Sequence, residues 1–268
     1  MGETGGTVTR GTPVRVLAPA KLTVSLQVTD VRADGYHELD AVMVALDLAD
    51  ELVLADGGSG LTSIGGPGMR AEDLPDPADN LVTRALSACG RHASVQLTKR
   101  IPLGAGLGGG SADAAAVLRW ARCADLDVAA RLGADVPFCL VGGRARVRGA
   151  GERVTPLPLE AGDYLLALPP FGVDTASVFR AWDEGRRGPG PNALTAAALA
   201  VEPRLARWRD ALGDLAGREP ALAGSGSTWF VAGGPAEAGT ASLPELRSAG
   251  ETARLVRART VPPGWKGY

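Results

Sequence analysis

Residues 102–116 read PLGAGLGGGSADAAA: Pro102, Leu103, Gly104, Ala105, Gly106, Leu107, Gly108, Gly109, Gly110, Ser111, then an alanine-rich run that continues toward Cys123. Glycine at that density favours turns, whereas alanine is the strongest helix former, so the stretch is a loop discharging into a helix. Ser111 stands where an N-cap belongs, which predicts a helix over Ala112–Cys123. Such a loop lets backbone N–H groups converge on an anion, and the helix start adds unpaired donors and a positive dipole end. A phosphate cradle is one reading; a flexible connection in which Ser111 merely caps the helix is the other.

Two better-known phosphate loops fit less well. Gly104, Gly106 and Gly109 satisfy G-x-G-x-x-G, and Asp125 or Asp127 follows at about the distance a dinucleotide site wants. The segment ahead of the loop, however, carries Lys99, Arg100 and Pro102 where a buried parallel strand should be apolar. The helix also runs into ARCADLDVAA, which is no second strand. A Walker A loop needs lysine before its final Ser or Thr, and here Gly110 precedes Ser111.

Upstream, Leu22, Val24, Leu26 and Val28 alternate with Thr23, Ser25, Gln27 and Thr29, the period of a half-buried strand, and Lys21 shares the polar phase. Asp34-Gly35 marks a turn, and a second strand ends near Ala55. Gly57–Gly68 reads as a loop, Asn80–Cys89 as a helix and Ser94–Thr98 as a strand. Downstream, Gly133 stops a helix, and Asp135-Val136-Pro137 opens another with Asp as N-cap and Pro in the first turn. Strands are expected at Ala145–Val147, Tyr164–Leu168 and Trp229–Ala232. Helices are expected at Thr175–Asp183, Leu194–Ala200, Pro203–Leu212 and Pro244–Ala249, with a loop at Gly185–Pro191 and a last strand at Arg254–Val261.

The 268 residues carry 28 Lys and Arg against 30 Asp and Glu, a formal charge of −2. Bulk attraction to nucleic acid or anionic membrane is therefore not the main activity. Three cysteines without CxxC spacing and two histidines make no recognisable zinc motif. Met1–Gly11 reads as a polar tail, and no run approaches the eighteen or so apolar residues of a membrane span. These features suit a reduced cytoplasmic protein.

The glycine loop resembles the nucleotide-binding motif of the GHMP kinases. APAKLTVSLQV (residues 18–28), RADGYHELD (32–40) and LGADVPFCL (132–140) are similar to one branch, the 4-diphosphocytidyl-2-C-methyl-D-erythritol kinases, and AGSGS (223–227) resembles the superfamily's C-terminal glycine motif. The resemblance implies an α+β, two-domain GHMP kinase fold. Its parts would be a ribosomal-protein-S5-like N-terminal ATP-binding domain over residues 1–149 and a ferredoxin-like domain over 150–268, with the site between them. It also implies ATP-dependent phosphorylation of the 2-hydroxyl of the cytidine diphosphate derivative, a step of isoprenoid precursor synthesis. ATP with Mg2+ enters as co-substrate, with no tightly bound metal or organic cofactor. The expected partners are ATP and the small-molecule acceptor, not nucleic acid or membrane, for a monomer or weak homodimer.

By the same resemblance Asp135 is the base and Lys21 the active-site cation. Lys99 and residues 102–112, from Pro102 to Ala112, belong to the ATP site, with the Ser111 hydroxyl offered to magnesium. Tyr36, His37 and Phe179 bind the base, and Gly224, Ser225 and Gly226 belong to the acceptor site. Taken singly, Asp135 reads equally as an N-cap, Lys21 as a surface lysine, and Tyr36 and Phe179 as packing. Thr23 stands where the resembled kinases carry Asn, the segment between Trp120 and Leu132 is shortened, and NALT from Asn192 replaces their acidic pattern. A GHMP kinase with another acceptor and a non-catalytic nucleotide-binding relative are the alternatives.

Overall fold

The alternating apolar residues after Pro13 form β1 (Val14–Val31), which turns through Asp34-Gly35 into β2 (His37–Asp56). The Gly35 N–H donates to the Arg32 carbonyl at 2.9 Å, and Gly35 takes φ +84°, a conformation that favours glycine. The computed structural model describes residues 11–66, 69, 74–233 and 245–267. All but Gly11 of the expected N-terminal tail lies outside them.

β1 departs from simple alternation. Its pairing with β2 shifts register between Pro19 and Lys21 and again between Thr23 and Ser25. Bulges re-aim side chains, and here the nominally polar phase points into the protein: Lys21 is 6% exposed and Thr23 1%. The reading of Lys21 as a residue of a solvated strand face is thereby corrected. Both faces of mid-β1 are covered, so alternation there does not separate core from water.

The expected loop at Gly57–Gly68 contains a strand, β3 (Leu61–Gly65), parallel to β4 (Ala93–Lys99). Between them lies α1 (Leu81–Ala88), capped by the Asn80 carboxamide oxygen accepting from the Val82 N–H at 3.0 Å. α2 (Gly109–Trp120) is next, then α3 (Leu126–Leu132) and α4 (Val136–Val141). Asp125 caps α3 through the Asp127 and Val128 amides rather than starting a dinucleotide strand. β5 (Arg144–Gly149) and β6 (Arg153–Leu157) complete the first sheet, ordered β3-β4-β2-β5-β6 with β1 on β2. The first sheet thus runs to Leu157.

The second sheet is built from β7 (Asp163–Leu168), β8 (Ala221–Leu222), β9 (Trp229–Ala232), β10 (Leu246–Ser248) and β11 (Glu251–Arg259), ordered β10-β11-β7-β9-β8. Helices α5 (Thr175–Asp183), α6 (Thr195–Val201) and α7 (Leu205–Ala216) accompany it. The buried Ala20, Leu22, Val44 and Leu46 of the first sheet meet Leu166, Leu168, Phe230 and Ala258 of the second in one core. The sheets are also tied by backbone, with the Val261 N–H donating to Ala45 at 2.9 Å and Leu26 bridging Asn192.

The described part of the expected Pro244–Ala249 helix is instead β10, paired antiparallel with β11; Pro244 is outside the described residues. Ala249 (φ +48°) and Gly250 (φ +79°) make the two-residue connection, both in the left-handed region that matches hairpin twist. A two-residue turn thus joined what reads as a short helix, and strand pairing overrode local propensity. Alanine is strained at such a φ. Ala249→Gly should therefore stabilise the protein by about 0.5–1 kcal/mol, read as a raised urea midpoint; a lowered midpoint would contradict this turn geometry.

Candidate active site

The cradle expected at residues 104–111 has a more specific construction than glycine richness conveys. Ala105 and Leu107 are buried in the core between the sheets, while Gly104, Gly106 and Gly108 turn the chain between them with φ +64°, +75° and +66°. The loop is stitched from both sides: Lys21 N–H donates to Leu107 at 2.9 Å, Val173 N–H to Gly104 at 3.0 Å and Thr228 N–H to Ala105 at 3.2 Å. A Cβ on Gly106 would overlap the Ala223 carbonyl oxygen and lie 2.7 Å from that of Gly226. One on Gly108 would lie 2.7 Å from Lys21 Cγ, so this glycine opens the path of the lysine stem.

Gly108, not Ser111, is the N-cap of α2, and Ser111 sits inside the first turn. The left-handed Gly108 lets the helix begin earlier than the serine signal suggests. The first intrahelical bond is Ala112 N–H to Gly108 at 2.8 Å, so the amides of Gly109, Gly110 and Ser111 precede it, as the orphan donors of any helix start do. Gly109, Gly110 and Ser111 face a cavity of about 660 Å³ together with Pro102, Leu103, Gly104, Ala105, Gly106 and Gly108. Leu107 and Ala112 pack in the interior behind it.

Beside the helix start, the Lys21 ammonium lies 3.2 Å from an Asp135 carboxylate oxygen, with side-chain exposures of 7% and 32%. Asp135 holds the N-cap position of α4 but its side chain makes no cap bond. Its carboxylate faces the cavity and the lysine, against the plain-cap reading. Lys21 also donates to the Thr23 hydroxyl at 3.3 Å, so Thr23 keeps a polar partner for the ammonium. The shortened segment after Trp120, carrying only α3, leaves Asp135 seated beside Lys21 and in the same cavity as Ser111.

Tyr36 and His37 end the β1–β2 turn and line the same cavity. Tyr36 is 61% exposed. The His37 imidazole is held at 2.8 Å by Asp183 through Nε2 and lies over Phe179 with ring centroids 4.5 Å apart. Phe179 and Asp183 both come from α5, so this end of the cavity is assembled by both sheets' elements. Gly224 and Ser225 line the wall, and the Ser225 hydroxyl shares a hydrogen bond with Thr175 at 2.8 Å. Gly226 packs away from the cavity toward Leu222, Val173 and Leu205.

Lys99 is not on the cavity wall. It is 3% exposed, paired with Asp50 and, at 2.7 Å, with Asp113 of α2, both also buried. Asp50 additionally accepts the Arg100 and Ile101 amides. Lys99 thus fastens the strand before the glycine loop to the helix after it, neither touching the cavity nor reaching solvent. Burial, with Asp50 beside it and against the pull of Lys99, pushes the Asp113 carboxyl up to about 8 from 3.8. The folded protein then keeps a proton that the unfolded chain releases near pH 4, so this group costs stability as pH rises toward 8. The urea midpoint of the wild type should fall relative to that of Asp113→Asn between pH 5 and pH 8; parallel profiles would refute the assignment.

The sequence pattern missed Asn192 as a support. It is 3% exposed, its amide donates to the Leu222 and Gly224 carbonyls at 2.8 and 2.7 Å, and its oxygen accepts the Leu194 N–H at 2.9 Å. This side chain fixes the residues 223–227 loop against Gly106. Its signal was present in NALT, but a single polar letter does not reveal that its partners are backbone carbonyls thirty residues on. Asn192→Leu, which keeps the volume and strands two buried acceptors, should cost about 2–4 kcal/mol in urea unfolding; an unchanged midpoint would remove Asn192 from this role.

The profile of the GHMP kinases N terminal domain matches residues 80–143. A 4-diphosphocytidyl-2-C-methyl-D-erythritol kinase of Paracoccus denitrificans is 38% identical over 278 residues, covering 94% of each chain. That of Pelotomaculum thermopropionicum is 36% identical over 81% of this chain and 88% of its own. A crystal structure of 4-(cytidine 5'-diphospho)-2C-methyl-D-erythritol kinase superposes with TM-score 0.66 at 37% identity, over 81% of this chain and 89% of the other. The mevalonate kinase of Methanococcus jannaschii, at 12% identity and TM-score 0.55 over 94% of this chain and 99% of its own, shares the fold. With near full-length similarity and the glycine loop, Lys21, Asp135 and the Tyr36-His37 turn in one cavity, this chain belongs to the 4-diphosphocytidyl-2-C-methyl-D-erythritol kinase family of the GHMP kinases.

Proposed function

We propose that the protein transfers the γ-phosphoryl group of ATP to the 2-hydroxyl of 4-diphosphocytidyl-2-C-methyl-D-erythritol, a step of the non-mevalonate isoprenoid precursor pathway. The observation that carries the chemistry is the Lys21–Asp135 pair, 3.2 Å apart, in the same cavity as the open start of α2. Phosphoryl transfer asks a protein mainly for positioning and charge stabilisation. The amides of the Gly108–Ser111 turn and the dipole of α2 receive the nucleotide phosphates. Asp135 accepts the acceptor's hydroxyl proton as the new P–O bond forms, and the Lys21 ammonium stabilises the negative charge gathering on that oxygen.

Magnesium enters with the nucleotide. Among the described residues no group of three His, Cys, Asp or Glu side chains is placed to hold an ion. The donor the cavity offers beside the phosphate cradle is the Ser111 hydroxyl, a hard oxygen suited to Mg2+, with the phosphates supplying the rest. The ion's chemistry is neutralisation of charge on the phosphoryl oxygens. Tyr36 presents an exposed ring for stacking on cytosine, Phe179 backs the imidazole, and His37, oriented by Asp183, reads the base's polar edge. We place the enzyme in the cytoplasm as a monomer or weak homodimer. The three cysteines are free thiols, and among the described residues no helix is long and apolar enough to cross a membrane.

ADP release by purified protein with MgATP should depend on the diphosphocytidyl acceptor. Asp135→Asn and Lys21→Met should each lower kcat about 10²–10⁴-fold. Tyr36→Ala should instead raise KM for the acceptor roughly tenfold, the worth of one stacked base, with KM for ATP unchanged. Full turnover by Asp135→Asn would dismiss it as the base, and turnover of an acceptor lacking cytidine, insensitive to Tyr36→Ala, would assign another substrate.

A further inference from the structure

A second cavity, of about 710 Å³, opens at the far end of α2, between the first residues of β1, the end of β2 and the C-terminal segment. α2 has 12 residues, so this cavity lies about 18 Å from the phosphate cradle. Val14, Val16, Leu17, Trp120 and Trp265 give it an apolar floor, and five cations, Arg15, Arg91, Arg119, Arg122 and Lys266, surround that floor against one acid, Asp56. Like charges gather in this way at a cost unless an anion joins them. Arg15 pairs with Glu51 and Arg91 with Asp56. Arg119, Arg122 and Lys266 have no carboxylate within ion-pair distance among the described residues.

The polar atoms on this wall are incompletely used. Arg119 is pushed below its ordinary pKa by burial, and its guanidinium donates only to the carbonyls of Cys139 and Leu17, at 2.6 and 3.4 Å. Of its five N–H donors, two are thereby engaged. The Trp265 indole nitrogen is buried without a hydrogen-bond partner. Arg91 stacks on the Trp120 ring at 4.5 Å, so a guanidinium and an aromatic face already meet there. A floor of apolar and indole surface ringed by unpaired guanidinium and ammonium groups is complementary to a molecule with an aromatic or aliphatic body and a phosphate head.

We propose that this cavity is a second binding site, distinct from the kinase centre, for a small organic phosphate monoester: the apolar body against Trp120, Trp265 and Val16, the phosphate among Arg119, Arg122 and Lys266. The test is calorimetric titration of the full chain with 1-naphthyl phosphate, with 1-naphthol and inorganic phosphate as separate probes, all in the presence of a saturating non-hydrolysable ATP analogue to fill the cradle. One equivalent of 1-naphthyl phosphate should bind, each half-probe at least tenfold more weakly. Arg122→Glu and Lys266→Glu are exposed substitutions outside the catalytic machinery. Each should weaken binding at least tenfold while leaving circular dichroism and ADP release unchanged, and Trp265→Phe should weaken it as well. No binding with the cradle filled, or binding that survives both charge reversals, would overturn the proposal.

Discussion

The segment from Gly104 to Gly110 is trapped between two sheets, and most of the functional geometry depends on that confinement. Ala105 and Leu107 are committed to the core shared by β1, β2, β7, β9 and β11, so the intervening glycines must turn sharply while passing within contact of the residues 223–227 backbone. A side chain at Gly106 would collide with that backbone, and one at Gly108 with the Lys21 stem. The glycine pattern follows from packing. Amides of Lys21, Val173 and Thr228 hold the loop's carbonyls from both sides, which fixes the direction of its own N–H groups.

Two lysine–aspartate arrangements flank this loop, and burial separates their roles. Lys99 with Asp50 and Asp113 is sealed, joining the strand before the loop to the helix after it. A sealed network of this kind fixes one arrangement rather than adding much net stability. Lys21 with Asp135 is half-open at the carboxylate, which lines the cavity. Burial thus confines the Lys99 group to a structural role and leaves the Lys21–Asp135 pair open to the cavity. Asn192 extends the first theme into the second sheet, holding the Leu222 and Gly224 carbonyls so that the Gly224–Ser225 wall stands against Lys21.

The Tyr36–His37 end of the cavity depends on both halves of the chain. The turn after β1 presents Tyr36 and His37, but Phe179 and Asp183 on α5 set the imidazole plane. The angle between the halves therefore controls whether His37 is aimed into the cavity, and the shared core and the Leu26–Asn192 bridge fix that angle.

Much of this was legible in the letters. The helix over α5 and the stop of α3 at Gly133 follow from local spacing and cap chemistry, because capping and helical periodicity are properties of short segments. The motifs carrying Lys21, the glycine loop and Asp135 marked residues that the fold brings to one cavity. Local signals misled in three places: Ser111 yielded its cap to the left-handed Gly108, and strand pairing turned the end of the Pro244–Ala249 stretch into a hairpin strand and made β3 from a glycine-bounded loop. Composition and motif determined which groups the chain owns and which reaction they suit. Tertiary structure alone decided that Lys21 leaves a bulged strand toward Asp135 rather than toward water, that Lys99 is sealed away from the cavity, and that Asn192 supports the loop. Those outcomes depend on what covers each face, and that covering comes from residues far away in the chain.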